Sequence, residues 1–362
     1  MDTGNTTWVL VSAALVLLMT PALAFFYGGL VKTKSVVSMM MLSFGAMALI
    51  GVTWVLYGYA IAFPGSQNSP ESTYYGIPHV LGINTASIGL NNLLTVPEGA
   101  VFPPLAFAAF QAGFAIITVA LISGAIADRA KFGAWLVFAG IWATVVYFPV
   151  ASWVFNFTIV DGKIVDGGWL VYNIGVMDFA GGTVVEIASG ASALALALVI
   201  GKRFGFTKGM HAPHNVPLTL IGAAILWFGW FGFNAGSQLA ADGTAALAFV
   251  NTLAAPVGAM LSWVIYEQIA HKKPTSIGAA SGAVAGLVAI TPSCADLTPV
   301  FALLLGLIVG VVCALAIELK YLLGFDDSLD VVGIHLVGGL VGTIYIGLFG
   351  TGVGAFLGFG FE

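Results

Sequence analysis

The stretch Met177–Gly190, MDFAGGTVVEIASG, sets a carboxylate, Glu186, in an apolar run, and Asp327–Gly339, DSLDVVGIHLVGG, repeats the layout with His335 in the corresponding place. In both, an Asp precedes the ionisable group by eight residues and a Gly follows it by four: Asp178, Glu186, Gly190, then Asp327, His335, Gly339. An ionisable side chain inside a membrane span is costly and by default marks an ion or proton pathway. Two at matching positions predict a site built between two related halves.

The surrounding composition says that these runs lie in a membrane. Of 362 residues 59% are hydrophobic and only 7% are charged, against about a quarter charged in soluble domains. The fold class expected is an all-α polytopic membrane protein. A net charge of -5 with no basic run argues against nucleic acid as a partner. Cys294 and Cys313 lie in or near apolar segments without metal-ligand spacing and read as packing residues. The N-terminal apolar run ends in Ala22-Leu23-Ala24, as a signal peptide can, but MDTGNTTW before it has no Lys or Arg, so it reads as a retained first helix.

Segments long enough to cross a bilayer, about 20 residues each, run 7–30, 36–62, 101–127, 133–155, 179–201, 216–238, 245–269, 276–292, 298–319 and 330–349. The eighth, rich in Gly, Ala and Ser, is expected to pack against other helices rather than lipid. Lys and Arg fall in alternate connections: Lys32 and Lys34, Arg129 and Lys131, Lys202, Arg203 and Lys208, Lys272 and Lys273, then Lys320 follow spans one, three, five, seven and nine. Lys163 alone breaks the alternation. By the positive-inside rule the N-terminus is outside. Five is odd, so if 7–201 and 216–349 are related units of a single 1–362 domain, the second is inverted, and Glu186 and His335 approach the midplane from opposite sides.

Each ionisable residue has a structural alternative. Glu186 or His335 can bond a neighbouring helix for packing specificity alone; as a pair they can share and pass on a proton and titrate as a unit. Asp178 and Asp327 stand where helices begin, so each reads as an N-cap or as part of a cation site. Phe110 and Phe114 are one turn apart on span three, and Trp230 and Phe233 are three apart on span six. Such rings are either packing residues or, where two helices line a passage, a gate that attracts a cation through its faces. Ser237, one turn beyond Phe233, adds a hydroxyl. No nucleotide loop, nucleophile set or metal cluster is visible, so an enzyme, a cofactor or a metal is not expected. His79, His211, His214 and His271 fall in connections and read as solvated or capping residues.

Six stretches, FFYGGLV (25–31), FQAGFAIITVALISGAIADR (110–129), MDFAGGTVVEI (177–187), GWFGFNAGS (229–237), GAVAGLVAITP (282–292) and DDSLDVVGIHLVGGLVG (326–342), resemble the ammonium transporter family (Amt/Mep/Rh) over nearly the whole chain. The resemblance implies two inverted five-helix repeats around a pore, a homotrimer with one pore per subunit, a plasma-membrane location, and ammonium or methylammonium as substrate. It places Phe114 and Phe233 in the gate, Phe114, Ser237 and Asp178 in the outer recruitment region, Phe110 and Trp230 along the pore, and His335 as the second pore His. Glu186 stands where most of the family has the first pore His. The recruitment Trp aligns to Phe155, with Trp153 as the competing candidate. The family's eleventh helix and tail, which receive a PII-type signalling protein, are missing from a sequence ending LGFGFE, so that partner is not expected. The implied activity is electrogenic ammonium transport with proton relay by Glu186 and His335; an ammonium sensor or an uncoupled ammonia channel are the alternatives.

Overall fold

The computed structural model describes residues 1–65, 74–161, 163–206 and 212–357. Ten helices among them are long and apolar enough to cross a membrane: α1 Thr3–Leu30, α2 Thr33–Ala62, α3 Pro104–Ile126, α4 Phe132–Phe155, α5 Gly182–Ile200, α6 Val216–Gly236, α7 Gly243–Ala270, α8 Ser276–Ser293, α9 Pro299–Leu323 and α10 Val332–Phe349. Their ends fall within a few residues of the expected ones, and several runs open on a side-chain cap. Asn215 accepts from Leu218 N–H, Asp242 from Ala245 N–H and Thr275 from Gly278 N–H at the starts of α6, α7 and α8, satisfying backbone donors that hydrocarbon would leave bare.

Small residues decide how closely the helices pack. The Gly- and Ala-rich α8 is largely buried, whereas α2 is largely not, as its composition predicts. At Gly286 a Cβ would stand 2.6 Å from Pro256 Cα, and at Gly222 of α6 it would stand 2.3 Å from Phe26 N of α1. Two backbones at that separation exclude every side chain larger than hydrogen, the device by which membrane helices gain dispersion contact where lipid provides no hydrophobic drive.

The connections sort onto two faces. Lys32, Arg203, Lys273 and Lys320, from the connections after α1, α5 and α7 and from the end of α9, line one common vestibule. Lys163 lies instead in a hairpin between α4 and α5. That hairpin, β3 Phe157–Val160 with β4 Lys163–Gly167, is accompanied by β1 Tyr74–Ile77 with β2 Leu81–Asn84 between α2 and α3. The two are stitched together: Trp153 Nε1 donates to Val80 O at 2.5 Å, Trp169 N–H to His79 O at 2.8 Å, and the His79 ring stacks on Tyr172. His214 Nδ1 lies 3.1 Å from Val31 O, His271 packs its edge on Tyr266, and His211 lies outside the described residues. Both cysteines are free and buried.

Candidate functional site

Asp178 begins the site. Its Oδ1 accepts from Gly181 and Gly182 N–H at 2.8 and 2.7 Å, and its Oδ2 from Thr183 and Val184 N–H at 2.7 and 3.3 Å. The turn needs the φ of +117° at Gly181, a conformation open to glycine at little cost. Burial pushes the Asp178 carboxyl above its ordinary range, and the four N–H donors pull it back. Asp178 therefore caps α5.

From that cap the chain enters a π-helical turn, Gly182–Ile187, that carries Glu186; α10 opens with another, Val332–Leu336, that carries His335. Such wide turns rotate a side chain out of the regular helical register and are frequent at functional sites. The two helices cross where the turns meet. A Cβ at Gly190 would stand 2.4 Å from Leu336 N, and one at Gly339 would stand 3.1 Å from Glu186 Cβ. Each glycine of the repeated pattern thus makes room for the residue at, or next to, the other helix's ionisable group.

The crossing leaves His335 Nδ1 2.6 Å from Glu186 Oε2, with Glu186 fully buried and His335 5% exposed. At that distance the imidazole and the carboxyl share one hydrogen bond away from bulk solvent. Glu186 Oε1 has no protein partner. Both residues line a narrow cavity walled by Met19, Leu23 and Phe26 of α1 and by Leu226 and Trp230 of α6, with room for about one water-sized molecule.

Phe233 closes the same cavity and faces Phe114 with ring centroids 4.3 Å apart. Phe110 packs edge-on to Phe114 at 4.9 Å, and Trp230 lies 5.4 Å from Phe233 with its Nε1 donating to Thr291 Oγ1 at 2.9 Å. Ser237, half-buried, donates to Phe233 O at 2.7 Å, which leaves its oxygen lone pairs available as acceptors. The Phe155 ring reaches within 3.8 Å of the Cβ position at Gly181, over the Asp178 cap. Trp153 is turned away to Val80 and packs on Trp169 at 5.7 Å. The cavity walls Met19, Leu23, Leu226 and Val284 gave no signal in the sequence, because an apolar residue lining a passage looks like one lining a core.

Ten membrane-length apolar helices enclosing a small apolar cavity, with one buried His–carboxyl pair beside the Phe114–Phe233 ring pair, are the architecture of a polytopic membrane protein of the transporter class. The Ammonium Transporter Family pattern matches residues 7–355. An ammonium transporter of Mycobacterium tuberculosis is 54% identical over 354 residues, covering 96% of this chain and 74% of that protein, and one of Bacillus subtilis is 44% identical over 353, covering 97% and 81%. Among solved structures, Saccharomyces cerevisiae Mep2 superposes with a TM-score of 0.85 at 35% identity, covering 97% of this chain and 74% of that one. A sensor Amt protein superposes at 0.86 and 29% identity, covering 96% and 83%. The chain belongs to the ammonium transporter family.

Proposed function

We propose that this protein carries ammonium across the cell membrane, taking it up on the hairpin-covered face, removing a proton, and passing ammonia through the narrow cavity while Glu186 and His335 relay the proton. The supporting observation is the 2.6 Å contact between His335 Nδ1 and Glu186 Oε2 in a cavity otherwise walled by hydrocarbon. Moving a bare ion into such an interior costs on the order of 20 kcal/mol in an idealised Born estimate, and the apolar walls have few dipoles to offset it. Ammonium can shed its proton and cross neutral; potassium cannot. Recruitment falls to Ser237, Asp178, Phe114 and Phe155, with Trp153 the weaker candidate because its indole N–H is already engaged. Phe114 and Phe233 form the gate, Phe110 and Trp230 support it, and Glu186 occupies the place of the family's first pore His.

We read 7–201 and 216–349 as inverted repeats, supported by the reciprocal crossing of α5 and α10. The N-terminus is placed outside, with the vestibule of Lys and Arg facing the cytoplasm, and the assembly is read as a homotrimer. The test is purified protein in proteoliposomes given an ammonium pulse, with potassium as control. Ammonium-specific current in the wild type, lost in Glu186→Leu and His335→Leu, is the expected result; unchanged current in both variants would overturn the relay. Ammonia flux without current would make it an uncoupled gas channel. The likeness to a solved sensor Amt protein favours one further reading, an ammonium sensor, which would show ammonium-dependent stabilisation with neither flux nor current.

A further inference from the structure

Asp327 occupies the position in the second repeat pattern that Asp178 holds in the first, yet the two carboxyls are satisfied differently. Asp178 receives four backbone N–H groups and both its oxygens are engaged. At Asp327, Oδ2 accepts from Val332 N–H at 2.7 Å, while Oδ1 is buried with no partner, in a residue only 1% exposed. A bare carboxylate oxygen in such a place costs free energy unless it can be protonated or reached by water.

The residues that follow it in the chain line the vestibule. Lys320, 4% exposed, donates from Nζ to Asp327 O at 3.2 Å and pairs with the Asp330 carboxylate. Asp330 is 24% exposed at its side chain and lines the vestibule together with Lys320, Ser328 and Leu329. It sits on a turn with φ +64° that directs its carbonyl to Ile334 N–H at 2.9 Å, one residue before His335. The other charged or titratable groups that bear on Asp327 are Arg129 across the network and Tyr27 of α1. Burial pushes the Asp327 carboxyl above its ordinary range and the Asp330 carboxylate adds to this, against Lys320 and the Val332 N–H.

We propose that Asp327 is the inner proton station of the pathway. This rests on the relay reading above. A proton leaving the His335–Glu186 couple passes through water to Asp327 Oδ1, forming an O–H bond there. It then passes to vestibule water beside the Lys320–Asp330 pair, restoring the carboxylate and its unpartnered oxygen. No electrons move and no co-reactant is consumed.

The test compares wild type, Asp327→Asn, Asp327→Glu and Asp178→Asn in proteoliposomes, with the vestibule-side pH varied, beside infrared difference spectra of the carboxyl stretch. Expected is a fall in ammonium-evoked current of at least about tenfold in Asp327→Asn, partial recovery in Asp327→Glu, and a protonated-carboxyl band in the wild type that Asp327→Asn alone removes. A folded Asp327→Asn protein with full current and unaltered dependence on vestibule pH overturns the assignment while leaving the relay intact. Should Asp327→Asn fail to fold, the wild-type infrared titration decides, and the absence of a titrating buried carboxyl overturns it. No ammonium current in the wild type would end the relay reading and this one with it.

Discussion

Glu186 and His335 lie 2.6 Å apart with almost no exposure, so removing either leaves the other buried without its partner. Breaking a buried pair from one side costs about 3–5 kcal/mol, whereas replacing both partners with apolar groups is often close to neutral. Single Leu variants are therefore expected to unfold at lower temperature than the wild type, and Glu186→Leu/His335→Leu to recover much of the loss, while all three lose current. Thermal unfolding in detergent checks this; additive losses in the double variant would show that the two residues are not coupled. Asp326 makes a second residue-scale case. Burial raises its carboxyl, but Arg203, with Nη2 2.8 Å from Oδ1, and Arg129, at 3.8 Å, bring it net below its ordinary range. A folded-state value below the unfolded one, about 3.9, means that the stabilisation is complete above that value and is lost as pH falls through the folded one. As pH falls below about 3.9, the wild type should lose more thermal stability than Asp326→Asn; equal losses would remove Asp326 from the account.

The crossing of α5 and α10 is the element on which the site depends, and its two glycines are not equivalent. A Cβ at Gly190 would meet the Leu336 backbone at 2.4 Å, which cannot move aside cheaply, while one at Gly339 would meet side-chain atoms at 3.0 and 3.1 Å and a carbonyl at 3.2 Å. Overpacking of this kind costs roughly 1–3 kcal/mol. Gly190→Ala is accordingly expected to lower the unfolding temperature more than Gly339→Ala and to reduce current further, because it separates the helices beside His335. The reverse order would mean that the helices do not cross as described.

At the scale of the whole molecule, basic residues from separate connections converge on one vestibule, while Lys163 lies in β4 with the hairpins. In spheroplasts, a cysteine at Lys163 should react with an impermeant thiol reagent directly, and one at Lys273 only after permeabilisation; the opposite pattern would invert the topology. Both native cysteines are fully buried, so background labelling should be low. Much of this organisation was legible beforehand: the ten spans followed from apolar run length, and the two faces from the alternation of Lys and Arg. The pairing of Glu186 with His335 was visible only as a repeated spacing. The aliphatic walls of the cavity were not visible, since Met19 or Leu226 carries the same hydropathy whether it faces lipid, a neighbouring helix or a passage.

By itself the sequence determined the membrane class, the number of spans and the positions of the ionisable residues within them, because the cost of placing charge in hydrocarbon acts on each segment independently. Tertiary structure decided the roles. It turned Asp178 into a satisfied cap and left Asp327 with an unpartnered oxygen, although their spacings are identical. It engaged Trp153 with a hairpin and set Phe155 over the cap, and it brought two groups 149 residues apart in sequence to 2.6 Å. Those outcomes depend on which backbone donors and which neighbouring helices reach each side chain, and that is fixed only when the helices pack.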